Sequence, residues 1–377
     1  MDLRFGVKIY DNDWFLRHRL SAEQLADLLA EWGVTYVIAQ SKFLPMSDSA
    51  VNSAVTAADR AAYDALDDVA LRELLRQRGI AYFAVLNICF DPAFSRAHPE
   101  LAAIDQQGRP MEQQDWYVGI PPDRTENLAH KTDLLRRGVA ALKPDVVHLG
   151  FIRWPGFWET WLPGDDRAAK PEYCFSARTL RAFNQECGLS IPVDDPVAAA
   201  KEIDAGHRQA WTKWKCAKTV EAIAHIREAL APIQSGLEYS INTLPFFRTD
   251  FGNAVEEVFG QDIAALAGVV DIFEVMAYHQ ILARPPAWPA QVAADIKQRS
   301  GRKAICTLQA RALYLDGMHA GKGRTAELSA EELGQALDAL EAADVDGVCM
   351  FTLTDLLDFR GSAKGADMVA ALRRFRT

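Results

Sequence analysis

A single (β/α)8 TIM barrel is the fold class that the 377-residue sequence predicts. Three observations predict it. Eight short runs rich in β-branched and aromatic residues alternate with longer amphipathic stretches, as in a parallel sheet crossed by helices. The stretches after helices are short, whereas several after strands are long, and a barrel builds its sites from the loops at the C-terminal ends of its strands. No GxGxxG or GxxxxGK loop follows any run, so the usual sign of an open, doubly wound sheet is missing.

The strands, in order, are FGVKIY (5–10), VTYVIAQ (34–40), IAYFAVLNI (80–88), DVVHLGF (145–151), LEYSIN (237–242), VDIFEVMAY (270–278), KAICTLQA (303–310) and DGVCMFTLT (346–354). Each is long enough to be buried on both faces. Between them, SAEQLADLLAEWG (21–33) opens on Ser21 with Glu23 and Gln24 behind it, which reads as a cap, and ends at Gly33. DDVALRELLRQRG (67–79) also stops on glycine. Further helices fit 126–142, 176–187, 199–231, 254–267, 289–300, 330–343 and 364–375. Long connections follow strands 2, 3 and 4, and residues 152–200 form an enlarged excursion after strand 4. The chain therefore reads as one catalytic-type domain, 1–377.

The net charge of -10 argues against a nucleic-acid or anionic-membrane surface, which needs clustered Lys and Arg. No run of eighteen apolar residues occurs, and MDLRFGVKIYDND has no apolar signal region, so a cytoplasmic, membrane-free protein is expected. The six cysteines form no CxxC pair and read as reduced, buried thiols. Oligomeric state is not legible.

Polar groups end every strand. Alternation puts Glu274, Met276 and Tyr278 on the lumen face of strand 6, with Val275, Ala277 and His279 outward. A buried Glu274 needs a partner, and Lys8 on strand 1 can supply one; a purely structural pair is the alternative. Tyr10-Asp11-Asn12-Asp13-Trp14 suits sugar recognition, since carboxylates accept hydroxyl hydrogen bonds and indoles stack on apolar sugar faces. Asp11 and Asp13 could equally serve to turn the loop. Lys42, Asn87, Asn242, Gln309 and Asp355 lie at the exits of strands 2, 3, 5, 7 and 8. Indoles concentrate after strands, which favours carbohydrate over a phosphorylated metabolite. No glycine-rich phosphate turn follows strands 7 and 8, and GKGR (321–324) reads as a surface loop before the Ser329 cap.

The most informative stretch is DVVHLGFIRWPGFWE (145–159), followed by YCFSARTLRAF (173–183). It resembles a strand-4 pattern D-G-[VI]-h-L-D-[FY]-I-R-[YW]-P, then C-x-C-x-x-C-x-x-x-F, of poorly characterised glycoside-hydrolase-like TIM barrels related to the α-amylase superfamily. VMAYH (275–279) is similar to the strand-6 M-x-Y-[DH] of chitinase-like barrels. The resemblance implies a carbohydrate-active barrel. It also implies an aspartate nucleophile at position 150, where this chain has Gly150. Three readings of Gly150 stand open: another carboxylate serves, the protein binds sugars without cleaving them, or the chain is a nucleophile-deleted variant. The second and third cysteines of the pattern are altered too, so a metal knuckle is not supported.

Glycosidic cleavage needs two carboxyl groups, one protonated and one ionised. Glu159 is the first choice for acid/base, because surrounding indoles would desolvate it and raise its pKa. Asp13 and Glu274 complete the catalytic candidates. Asp11, Trp14, Lys42, Asn87, Arg153, Trp154, Trp158, Asn242, Tyr278, His279, Gln309 and Asp355 are the candidate contacts to an oligosaccharide or glycoside. No cofactor and no metal is expected. The alternatives are a carbohydrate-binding pseudoenzyme and a divalent-metal isomerase or aldolase using Glu274, His148, His279 and Asp11. No HxH, HExxH or GxSxG spacing strengthens metal or serine chemistry.

Overall fold

The structure, a computed structural model, describes residues 1–45, 56–311 and 328–375. The loop assigned to 321–324 lies outside them. Eight parallel strands close into a barrel in chain order: β1 (Phe5–Ile9), β2 (Tyr36–Ala39), β3 (Ala81–Asn87), β4 (Val146–Gly150), β5 (Glu238–Thr243), β6 (Ile272–Met276), β7 (Lys303–Gln309) and β8 (Gly347–Phe351). Pairing of Phe5 with Val348 and Gly6 with Cys349 closes the ring. Most strands are a little shorter than their apolar runs, because Tyr10, Tyr278 and Thr352 leave the ladder and turn over the barrel mouth.

Alternation divides the interior into layers. The lower barrel is apolar, filled by residues such as Tyr36, Ile38, Phe83, Val85, Ile272 and Ile305. The strand residues facing outward, Val7, Leu86, Val147, Ile241 and Leu308 among them, pack beneath the surrounding helices. The upper interior is polar.

Local signals explain the helix ends. Ser21 and Gln24 form a reciprocal capping box at helix Ala22–Glu31, and Asp67 caps Asp68–Gln77. The helix expected at 199–231 instead starts at Pro196, after the Asp195 cap, and passes through a π-helical turn, Ile203–His207, before Arg208–Leu230. The helix expected at 254–267 is split into Ala254–Glu257 and Ile263–Leu266. Gly260 between them has φ +63, and a Cβ there would lie 2.3 Å from the Trp154 ring. Helices Ala57–Ala65 and Pro92–Ala97 were not anticipated, although Thr56 with Asp59 and Asp91 with Pro92 are capping signals. Among the described residues no helix is long and apolar enough to cross a membrane. All six cysteines are free; five are buried and Cys187 is exposed.

The strand-4 excursion carries a second core, in which Trp154, Phe175, Phe183, Trp211 and Trp214 pack together. At its edge Glu172 accepts hydrogen bonds from Arg208 (2.8 Å), Lys215 (3.0 Å) and Trp211 (3.1 Å). Burial alone would raise the Glu172 pKa, but Lys215 and Arg208 outweigh it and hold the carboxyl at about 2. Glu172→Gln strands the buried Lys215, with an expected cost of about 3–5 kcal/mol in urea denaturation at pH 7. Because the folded pKa is depressed, the contribution of Glu172 is present above its unfolded value of 4.5 and is lost as pH falls toward 2.

Candidate active site

The site is built from the middle of the barrel upward. Glu274 on β6 is completely buried and lies 2.8 Å from the ammonium of Lys8 on β1. Asn242 on β5 and Thr307 on β7 donate hydrogen bonds to its two carboxylate oxygens. His148 on β4 places Nε2 3.5 Å from the same carboxylate, and its Nδ1 meets Ser240 Oγ at 2.6 Å. Burial would lower the Lys8 pKa, but the Glu274 charge outweighs burial and holds the ammonium protonated. Burial pushes His148 down to about 4, so its ring is neutral at pH 7. One cation thus balances one anion at the core of the polar layer.

An aromatic wall rises above this pair. The Lys8 ammonium lies 5.0 Å from the Tyr10 ring and 5.6 Å from Phe351. Phe351 meets Tyr278 at 5.5 Å, and Tyr278 stacks on Trp158 at 5.8 Å. The wall therefore links the exits of β1, β8 and β6 to the strand-4 loop. Near it, buried polar atoms stand without a hydrogen-bond partner: Asn87 Oδ1, both amide atoms of Gln309, Trp158 Nε1, Glu159 Oε2, and Arg153 Nε and Nη2. Buried polar groups are normally satisfied, so such a concentration at strands 3, 4 and 7 marks a place built for a polar ligand.

Gly150 and Phe151 turn the chain out of β4, with Phe151 at φ +54, a conformation a bulky side chain adopts only under constraint. The turn directs Arg153 inward over the rings of Phe151, Tyr117 and Phe259. Glu159 follows in the short turn Trp158–Thr160, 3% exposed. Burial raises its pKa to about 7, against the opposing charge of Arg153.

A Cβ on Gly150 would lie 2.2 Å from Asn87 Oδ1. The aspartate of the resembled pattern therefore does not fit unless Asn87 moves. Gly150→Asp is expected to destabilise the protein by about 1–3 kcal/mol, and Asn87→Ala in the same chain to recover most of that in thermal melts. In the cysteine stretch of the resembled pattern, the retained Cys174 and the altered Ser176 both accept from the buried Arg124 guanidinium, at 3.3 and 3.0 Å.

Asp11 accepts from Thr354 Oγ1 at 2.6 Å, and burial raises its pKa. Asp13 pairs with Arg17 at 3.1 Å, and Arg17 also holds Asp358. Asp355 is occupied by its capping box with Thr352. These groups meet where β1 and β8 adjoin, at the barrel closure. Lys42 donates to the Asp64 carbonyl at 2.9 Å, at the end of helix Ala57–Ala65. Trp14 is buried in the main core, and Trp154 is buried in the second core with its Nε1 on the Lys215 carbonyl. His279 faces outward to Glu332 at 3.0 Å. It is therefore not gathered with His148 and Glu274, and among the described residues no three His, Cys, Asp or Glu side chains could together hold a metal. Tyr117, Ser240, Thr307 and Phe351 join the site beyond the candidate residues, and Tyr10 joins it from the stretch suited to sugar recognition. Thr307 and Ser240 were findable by alternation from Gln309 and Asn242, but Tyr117 is brought in by a loop that carries no periodic signal.

No family model matches the chain, and no curated protein sequence matches it. Solved structures do. The PgaB (BpsB) glycoside hydrolase domain from Bordetella bronchiseptica superposes with a TM-score of 0.69 at 17% identity, over 98% of this chain and 99% of that one. The catalytic domain of a beta-amylase from Paenibacillus polymyxa gives 0.61 at 11%, over 99% and 98%. A GH42 beta-galactosidase from G. stearothermophilus, Gan42B, gives 0.63 at 11%, over 99% of this chain and 56% of that one. The chain thus shares a closed eight-stranded parallel barrel with glycoside hydrolases.

Proposed function

We propose that the protein is a carbohydrate-active enzyme that cleaves a glycosidic bond at the C-terminal face of its barrel. The observation that carries this reading is Glu159: a buried carboxyl with a pKa near neutrality, one oxygen unpartnered, beside an indole of the aromatic wall. Such a group suits protonation of a leaving oxygen. Its placement in the strand-4 excursion and the glycoside hydrolase neighbours support the same reading. Glu274 is the ionised partner in this proposal, stabilising positive charge that develops on the sugar; Asp11 and Asp13 hold hydroxyls at the rim. Asn87, Asn242, Gln309, Tyr278 and Trp158 contact the ring. The relation to the α-amylase superfamily belongs to the proposal and rests on the strand-4 stretch.

The test is a panel of aryl glycosides and oligosaccharides offered to the unmutated chain and to Glu159→Gln. Cleavage by the first and not the second supports the reading. Binding without cleavage, with release appearing only in Gly150→Asp/Asn87→Ala, would instead place the protein among sugar binders that lack a nucleophile.

A further inference from the structure

Arg153 has hydrogen-bonding capacity that the proton-donor role of Glu159 does not consume. Arg153 is 2% exposed, and among the described residues the only hydrogen bond of its side chain runs from Nη1 to the Tyr117 hydroxyl at 3.4 Å. Nε and Nη2, the two donors along one edge of the guanidinium, are buried without a partner. Among the described residues no carboxylate oxygen lies within the 4.0 Å of an ion pair. A guanidinium cannot shed its proton, so a buried one lacking an anion is costly. That edge matches the two oxygens of a carboxylate, which a planar two-donor fork grips through two parallel hydrogen bonds.

We propose, building on the function assigned above, that the substrate sugar carries a carboxylate, as in a uronic acid, and that Arg153 grips it through Nε and Nη2. Glu159, six residues further along the same loop, feels the Arg153 charge. An anion on Arg153 cancels that charge and disfavours a second anion nearby, so the bound substrate keeps Glu159 protonated. The substrate thereby arms its own proton donor. The phenol and the thiol around the pair do not compete near pH 7. Burial raises the Tyr117 phenol, burial raises the Cys89 thiol beside Arg153 to about 12, and Lys170, which reaches the Thr160 carbonyl, is held by Asp165 at 2.6 Å.

Calorimetric titration of the full chain with nitrophenyl uronides and their matched hexosides tests this, since each pair differs only at C6. At least one uronide should bind about ten- to a hundredfold tighter than its hexoside. Its affinity should fall as pH rises from 7 to 9, and buffers of different ionisation enthalpy should reveal proton uptake on binding. Arg153→Gln should level the pair, and Arg153→Lys, which keeps the charge without the fork, should restore only part of the preference. If Arg153→Gln does not fold, proton uptake by the unmutated chain decides. Uronides no tighter than hexosides, or binding without proton uptake, overturn the proposal. Equal affinity for 6-sulfated hexosides overturns the choice of a carboxylate. Cleavage of neutral glycosides with no uronide preference sinks this inference alone, whereas failure to bind any saccharide sinks the proposed function with it.

Discussion

Glu159→Gln is expected to lower cleavage of unactivated glycosides by about a hundred- to ten-thousandfold, the usual worth of a positioned general acid. Aryl glycosides with good leaving groups should lose much less, because they need little protonation. In the unmutated protein kcat/KM should fall as pH rises through about 7, where Glu159 loses its proton. The same substitution should make the protein more stable at pH 8. The folded pKa of Glu159 is raised from 4.5 to about 7 by burial, so the unfolded chain releases the proton first. Its protonated form therefore contributes stability that is complete below pH 4.5 and is lost as pH rises to about 7. The loss amounts to about 3 kcal/mol. Glutamine never ionises and escapes it. Urea denaturation of both proteins at pH 5 and pH 8 should show a much larger gap at the higher pH. A stabilised, inactive Glu159→Gln would be the signature of a carboxyl kept in an unfavourable place for its chemistry. Equal stability at both pH values would show that Glu159 is not desolvated, and the proton-donor assignment would fall with it.

The second large effect lies deeper. Lys8→Met leaves Glu274 buried without its cation, and the expected cost is about 3–5 kcal/mol. Glu274→Gln leaves Lys8 stranded and should cost a similar amount. Lys8→Met combined with Glu274→Gln should recover much of either loss, because the two penalties are one desolvated charge counted from two ends. A double-mutant cycle by urea denaturation measures the coupling. Additive losses would mean that the pair is not coupled, and that Asn242 and Thr307 carry the carboxylate by themselves. His148, neutral at pH 7 because burial holds its pKa at about 4, adds no charge to the balance.

These two experiments separate roles that look alike from the sequence. Glu159 and Glu274 are both buried carboxyls above an apolar barrel floor. One has a cation at 2.8 Å and two further donors; the other has an unpartnered oxygen and a raised pKa. Environment, not residue type, sets the two carboxyls apart.

Repetition made the barrel legible in the sequence: eight buried runs with helices between them, whose strand and helix periods are local properties of the chain. The Lys8–Glu274 partnership followed by alternation, since Glu274 had to face inward and Lys8 shared its face. The capping of helix Ala22–Glu31 followed from Ser21 and Gln24 alone. Loop residues resisted the same reasoning. Trp14 and Trp154 follow strands as Trp158 does, yet they fill cores while Trp158 stacks on Tyr278. Lys42 ends a strand as Asn87 does, yet it is spent on the end of a helix. Loops have no period, so the direction of their side chains depends on what the rest of the chain packs against them. The architecture and the ring of polar strand ends were readable from the chain alone, because both are products of short-range patterning. Which cations are matched, which carboxyl is desolvated, and that Asn87 occupies the space above Gly150 emerged only on folding. Those depend on distances and desolvation set by contacts between residues far apart in the chain.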